Sequence, residues 1–254
     1  MALRVSGVDD AAWASPWRGV PVGAKVAFSV TLIVVALLAR PWPTALFVTA
    51  LALGVLAAAR IPARFVAVAF SAPAAFIVLG AASATVTLGE FAGEGWRWGI
   101  IGVRKADVAL GAGLLLRSVA GTSAIFVLAM TTPMVDLLAW LRRLRVPAPL
   151  IEVASLMYRM IFTAWNSLLQ VRQAQQQRLG GAGSWGERFS ETGRLVGAVA
   201  VRTWLASARL ADGLAIRGHE SSLATLPSRR SAHRFPAWAL AGVVLIVGVA
   251  VWSR

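Results

Sequence analysis

Five stretches of this chain are long, apolar and almost free of charge: residues 24–39, 44–59, 65–88, 107–130 and 235–252. An α-helix rises 1.5 Å per residue, so a hydrocarbon core of about 30 Å asks for roughly 20 such residues. The runs at 24–39 and 44–59 are a little short, and flanking Trp and Arg side chains reach the interface for them. The competing reading is a set of buried core helices. It fails on composition: 58% of the 254 residues are hydrophobic and 14% are charged, and the mean hydropathy is +0.71. That leaves too little polar surface to cover five buried helices. The sequence predicts an all-α integral membrane protein with about five transmembrane helices.

Charge then sets the topology. Lys and Arg number 25 against 11 acidic residues, a net charge of +14. In a soluble protein that excess would point to nucleic acid, but here the cations sort by loop, and no nucleic-acid partner is expected. With the N-terminus inside, 19 of the 25 basic residues fall on the cytoplasmic side, among them Arg60, Arg64, Arg142, Arg143, Arg145 and all those from Arg159 to Arg234. Lys25 is counted with this group. The opposite side receives Arg40, Arg97, Arg104, Lys105 and Arg254, and Arg117 lies within a span. This is the positive-inside pattern of a bacterial inner membrane protein, and an odd number of spans puts the C-terminus outside. Asp9, Asp10, Trp13 and Pro16 interrupt any apolar region of a signal peptide, so residues 1–23 read as a surface segment leading into the first span. Cysteine is absent, which removes disulfides, thiolate nucleophiles and Cys-based metal sites.

The organisation is lopsided: residues 1–130 hold a surface segment and four spans, 131–234 a cytoplasmic region, and 235–254 the final span. The middle region is too polar to span and too apolar to be a disordered tail. Thr131-Thr132-Pro133 reads as a helix start, with a hydroxyl at the N-cap, Pro at the first helical position and Asp136 in the early turns. That short helix stops near Arg145, before Pro147 and Pro149. A longer helix is predicted over 149–179. Leu150, Ala154, Met157, Ile161, Trp165 and Leu168 form its apolar face, and Glu152, Arg159, Asn166, Gln170, Gln173 and Gln177 the polar one. A third helix starts near Ser184 and runs to Arg217, ending at Gly218, with Arg194, Arg202 and Arg209 sharing one face. Such amphipathic helices need cover for their apolar faces, from each other, the membrane surface or another protein.

The ends of the two long helices resemble each other. One reads Gln177-Arg178-Leu179 and then glycine; the other reads Ile216-Arg217-Gly218. Read locally, each is a dipole-favoured, solvated arginine beside a glycine stop. The repetition in an amphipathic setting adds a second reading, because a planar guanidinium at a helix tip suits an acidic groove on a partner.

At these residues the chain resembles the transmembrane T component of energy-coupling factor (ECF) transporters, and within it the CbiQ-like proteins of cobalt uptake. Ala14-Ser15-Pro16-Trp17 followed by Val22-Gly23-Ala24-Lys25 is similar to the family's SPLHRLDPRAK lead, with the Asp-Pro-Arg part degraded. Thr131-Thr132-Pro133 and Leu141 to Pro147 resemble its TTP and LRRLGVP segments. Arg178 and Arg217 fall where the family has two short Ala-Arg-Gly motifs, of which only the arginine is kept in both. The resemblance implies a coupling role without chemistry or cofactor of its own. Two ABC-type ATPase subunits would dock through Arg178 and Arg217, with Gln177, Leu179, Ile216 and Gly218 as neighbours. The long amphipathic helices would act as coupling helices, passing motion to a membrane substrate-binding subunit. Cobalt is the favoured substrate, with nickel next.

Other functions fit less well. His219 and His233, with Glu220 nearby, are poor ligand material without cysteine, so no metal site is expected. The chain has no P-loop, no Ser/His or paired-Asp arrangement in a span, and no dinucleotide loop; Gly111-Ala112-Gly113 reads as close helix packing. Glu90, Glu94 and Arg97 with Trp96 and Trp98 read as an outer loop with an interfacial aromatic anchor. Arg117 is costly inside a span, roughly 3 kcal/mol at a helix centre. It pairs internally, bonds to backbone carbonyls, or meets a group on another subunit, and Asp107 is too far along the same helix to serve it. A stand-alone transporter or channel is the alternative function and needs a polar pathway through the spans; a membrane scaffold without transport is another.

Overall fold

A computed structural model describes residues 6–88, 95–98, 101–177, 184–218 and 237–252. The chain divides into two compact units, Met1–Met134 with Arg229–Arg254, and Val135–Ser228.

The first unit is helical. It contains α1 (Ser6–Ala14), a 3₁₀ turn over Pro16–Gly19, α2 (Val22–Leu38), α3 (Pro41–Ala58), α4 (Ala63–Thr85), α5 (Lys105–Thr131) and α9 (Ala237–Trp252). Three of these, α3, α4 and α5, are long and apolar enough to cross a membrane, and α2 and α9 are shorter apolar helices. Within the Pro41–Ala58 range Trp42 is non-helical (φ −103°, ψ 129°), so the regular helix of the 44–59 run begins at Pro43. At that first position proline's missing N–H is no loss. The fold is that of an all-α multi-pass membrane protein. One small exception interrupts it: the α4–α5 connection carries β1 (Thr87–Leu88), β2 (Gly95–Trp98) and β3 (Ile101–Arg104), antiparallel in the order β1-β3-β2. Trp98 pairs with Ile101 and Gly95 with Arg104 across β2 and β3. The outer-loop reading missed this ribbon; Glu90 and Glu94 lie outside the described residues.

The longest of these helices, α5, is the axis of the unit and packs against α1, α2, α3 and α4. Its inner side is small: Ala120, Ser123, Ala124 and Val127 are buried, and Met130 fills the end. Small side chains let helix backbones approach closely where lipid supplies no hydrophobic driving force between helices. Gly111 shows the limit of this approach, since a Cβ there would lie 2.9 Å from the Ala81 carbonyl oxygen of α4. Phe70 of α4 meets Phe126 of α5 edge to face, with centroids 5.5 Å apart. The last helix, α9, leans on α3, where Gly242 admits Leu51.

The second unit holds α6 (Met134–Arg143, which begins at the boundary), α7 (Ala148–Gln177) and α8 (Trp185–Ile216). The predicted start of α7 and both predicted ends of α8 hold to within one residue, and the predicted end of α7 at Leu179 lies outside the described residues. Ser184 is the N-cap of α8, and the Glu187 carboxylate accepts the Ser184 N–H at 2.6 Å. Past the end of α6 the turn reverses at Arg145, a non-glycine residue with φ +61°, and the Val146 N–H donates to Leu141 O at 3.4 Å. That six-to-one closure is a Schellman turn, a place where glycine is usual.

Candidate functional site

Two sets of residues concern function: the tips of α7 and α8, and the cations inside the first unit.

The two long helices form an antiparallel hairpin. The end of α7 and the start of α8 wall a cleft of about 260 Å³ lined by Arg172, Gln175, Gln176, Arg188, Glu191 and Thr192. The sequence reading did not single out Arg172 or Arg188; only the hairpin pairing brings them to one cleft. Gln177 is the last residue of α7 and is exposed. Arg178 and Leu179 lie outside the described residues, as do His219, Glu220 and His233. Arg217 lies 25–29 residues beyond Thr192 and Arg188 of the cleft along α8, a separation of about 38–44 Å. Arg217 is the C-cap of α8, and Gly218 follows in the left-handed conformation at φ +64°. Both are exposed, and no carboxylate pairs with Arg217 among the described residues. Ile216 beside it is 87% exposed. Among the described residues Arg217 is thus an exposed guanidinium at a helix tip with no carboxylate partner.

The apolar sides of the hairpin are only partly covered. Leu150, Met157 and Ile161 of the predicted α7 face are exposed, whereas Ala154, Trp165 and Leu168 are half-buried. On α8, Phe189, Val196 and Trp204 are exposed. Arg194, Arg202 and Arg209 are all exposed as well. Among the described residues of this unit, ten arginines face five carboxylates, so its field favours an acidic partner.

Inside the first unit two cations act reciprocally. Lys25 is 2% exposed, and its Nζ donates to Thr131 O at 2.7 Å. Arg117 Nη2 donates to Ala39 O at 3.1 Å. Thr131 is the last residue of α5 and Ala39 the C-cap of α2. Each helix therefore places a cation on the other's C-terminal carbonyls, groups that have no partner within their own helix and sit at the negative end of its dipole. The two contacts are 14 residues apart along both helices, about 21 Å. Lys25, counted by charge with the cytoplasmic cations, is thus buried rather than solvated. The clue was its stride, because Val22, Lys25, Phe28, Ser29, Leu32 and Ala36 form one buried helical stripe. Arg117 takes the backbone-carbonyl option, and its buried Nε has no acceptor among the described residues. Asp107 is held by Arg104, with Nε–Oδ2 2.9 Å and Nη2–Oδ1 3.1 Å. The hydrogen bond and charge of Asp107 push the Arg104 pKa above its already high value.

The Thr-Thr-Pro segment is a corner between α5 and α6. Its expected threonine cap is replaced: the Met134 N–H points at Asp9 Oδ1 at 3.5 Å, and Thr132 Oγ1 has no partner among the described residues. Asp9 also accepts the Trp13 indole N–H at 3.0 Å, and the Arg18 guanidinium lies 3.9 Å from the Trp13 ring centroid. A carboxylate from α1 supplies the negative charge that a helix N-terminus favours.

The fold and these sites define a class, a multi-pass helical membrane protein carrying a paired amphipathic hairpin with an open arginine tip. Residues 14–226 match the CbiQ family, described as cobalt transport protein, and the chain belongs to it. It is 32% identical over 233 residues to the cobalt transport protein CbiQ of Rhodobacter capsulatus, covering 91% of each chain. It is 29% identical over 203 residues to a protein of Methanocorpusculum labreanum named as a fused cobalt transport protein, CbiMQ, covering 78% of this chain and 34% of the fusion. An uncharacterized protein of Methanocaldococcus jannaschii is 28% identical over 204 residues, covering 78% of this chain and 74% of the other. Among the described residues no group of three or more His, Cys, Asp or Glu side chains could hold a metal ion.

Proposed function

We propose that this protein is the transmembrane coupling subunit of an ECF-type importer for cobalt ions, linking ATP hydrolysis by two ABC-type ATPase subunits to a separate membrane substrate-binding subunit. The observation that carries the proposal is the α7–α8 hairpin: two long helices with partly uncovered apolar sides, ending at an exposed Arg217 that has no carboxylate partner among the described residues. Arg178 and Arg217 dock the ATPases by charge-assisted contacts to carboxylates, each contributing about 2–5 kcal/mol once buried in the interface. A chain with one such arginine in sequence after α7 and another at the far end of α8, a helix about 48 Å long, suits two ATPases at once. Closure of the ATPases on ATP draws the tips together, and the apolar sides of the hairpin transmit the movement to the substrate-binding subunit. Cobalt as cargo rests on the two relatives named for cobalt transport, one of them a fusion in which this chain matches about a third. The subunit does no chemistry itself. It lies in the bacterial inner membrane with its N-terminus and the hairpin cytoplasmic and its C-terminus outside, as its arginine distribution supports.

The test is reconstitution. Proteoliposomes holding the ATPases, the binding subunit and this chain should take up ⁵⁷Co²⁺ with ATP, and leaving this chain out should abolish uptake. Cobalt flux through this chain alone, without ATP, would sink the reading in favour of a channel.

A further inference from the structure

We propose that the first unit carries a built site for one anionic phospholipid, with an acyl chain between α3, α4 and α5 and its phosphate at Arg60 and Arg64. A cavity of about 560 Å³ opens there, lined by Leu53, Leu56, Ile61, Val66 and Phe70 among others. That volume falls within the range of about 300–1,000 Å³ typical of ligand pockets. Its hydroxyl-bearing wall residues are internally satisfied: Thr49 donates to Ala45 O, Ser71 to Val68 O and Ser123 to Val119 O. The wall therefore offers no free hydroxyl donor, and its otherwise apolar lining suits a hydrocarbon guest. Along α4 the lining runs from Ala63 to Ala74, about 17 Å, close to the depth of one leaflet.

Two cations adjoin the lining segment. Ile61 and Ala63 line the cavity, and Arg60 in the α3–α4 turn and Arg64 at the start of α4 bracket them along the chain. Both arginines are exposed and neither has a carboxylate partner among the described residues. Arg60 sits at φ +56°, closing the end of α3 where the Ile61 N–H donates to Leu56 O at 3.2 Å. Glycine would hold that conformation without steric cost; the cation stands there against it. Basic pockets between membrane helices select anionic headgroups. A free anion would leave the hydrocarbon chamber unused, and a neutral lipid would leave the arginines unused.

The experiment is native mass spectrometry of the detergent-purified full chain, titrated with phosphatidylglycerol or phosphatidylcholine of identical acyl chains. One phosphatidylglycerol should bind in preference to phosphatidylcholine. Arg60→Gln/Arg64→Gln should weaken it by about thirtyfold, at about 1 kcal/mol per basic residue. Ala67→Phe, which fills the chamber, should weaken both lipids. Millimolar inorganic phosphate should not displace the bound lipid. Equal binding of the two lipids by the wild type, an unchanged preference in the double variant, indifference to Ala67→Phe, or displacement by phosphate would each overturn the site.

Discussion

Replacing Lys25 by Met tests whether α2 and α5 are held by cations on each other's carbonyl ends. The substitution keeps the side-chain length and apolar stem, so it leaves little cavity, but it removes the donor 2.7 Å from Thr131 O. A hydrogen bond from a charged group contributes about 1.5–3 kcal/mol, and an acceptor left buried and unpaired costs a similar amount. Relief from burying an ammonium offsets part of the loss. The net destabilisation is about 1–2 kcal/mol, a fall of roughly 2–8 °C in Tm for a chain of this size. Arg117→Met should cost less, below about 1 kcal/mol, because it also removes a buried Nε that has no acceptor among the described residues. The two contacts are far enough apart for their effects to add. Thermal unfolding of purified full-length protein, followed by helical circular dichroism, reads all three quantities. A Tm unchanged or raised by Lys25→Met, or a larger loss from Arg117→Met, would refute the reciprocal-capping argument.

Other outcomes follow from single positions. Arg145→Gly should raise stability by about 0.5–1 kcal/mol, because glycine adopts the left-handed turn without the penalty of a side chain; a lower Tm would contradict the turn geometry. Gly111→Val should lower stability by about 1–3 kcal/mol by forcing α5 off α4; an unchanged Tm would show that the helices do not meet there. Glu187→Ala should remove a capping contact at the start of α8 and cost about 1 kcal/mol. Hydrogen exchange at residues 185–188 reads this directly, and no acceleration there would count against the cap.

Much of this architecture was legible in the sequence because hydrocarbon and helix periodicity impose simple rules. The apolar runs give the membrane helices to within a few residues at each end. The stop at Gly218 follows from the left-handed conformation glycine permits; the start near Ser184 was also legible, but the Glu187 that completes its cap was not singled out. What sequence reasoning missed depends on long-range packing. Lys25 looks like an ordinary flanking cation until α5 brings Thr131 O to it, 106 residues away. The threonine cap expected at 131–132 loses to a carboxylate from Asp9, 125 residues from Met134. The strands at 87–88, 95–98 and 101–104 escaped because strands of two to four residues carry almost no periodic signal.

The most direct measurement is co-purification of the cognate ABC ATPase with the full-length chain, comparing wild type with Arg178→Glu/Arg217→Glu. The coupling account predicts that the wild type retains the ATPase. The double variant, still membrane-inserted and with an unchanged Tm, should lose it. Equal retention by both would contradict the account and leave these arginines as ordinary helix caps.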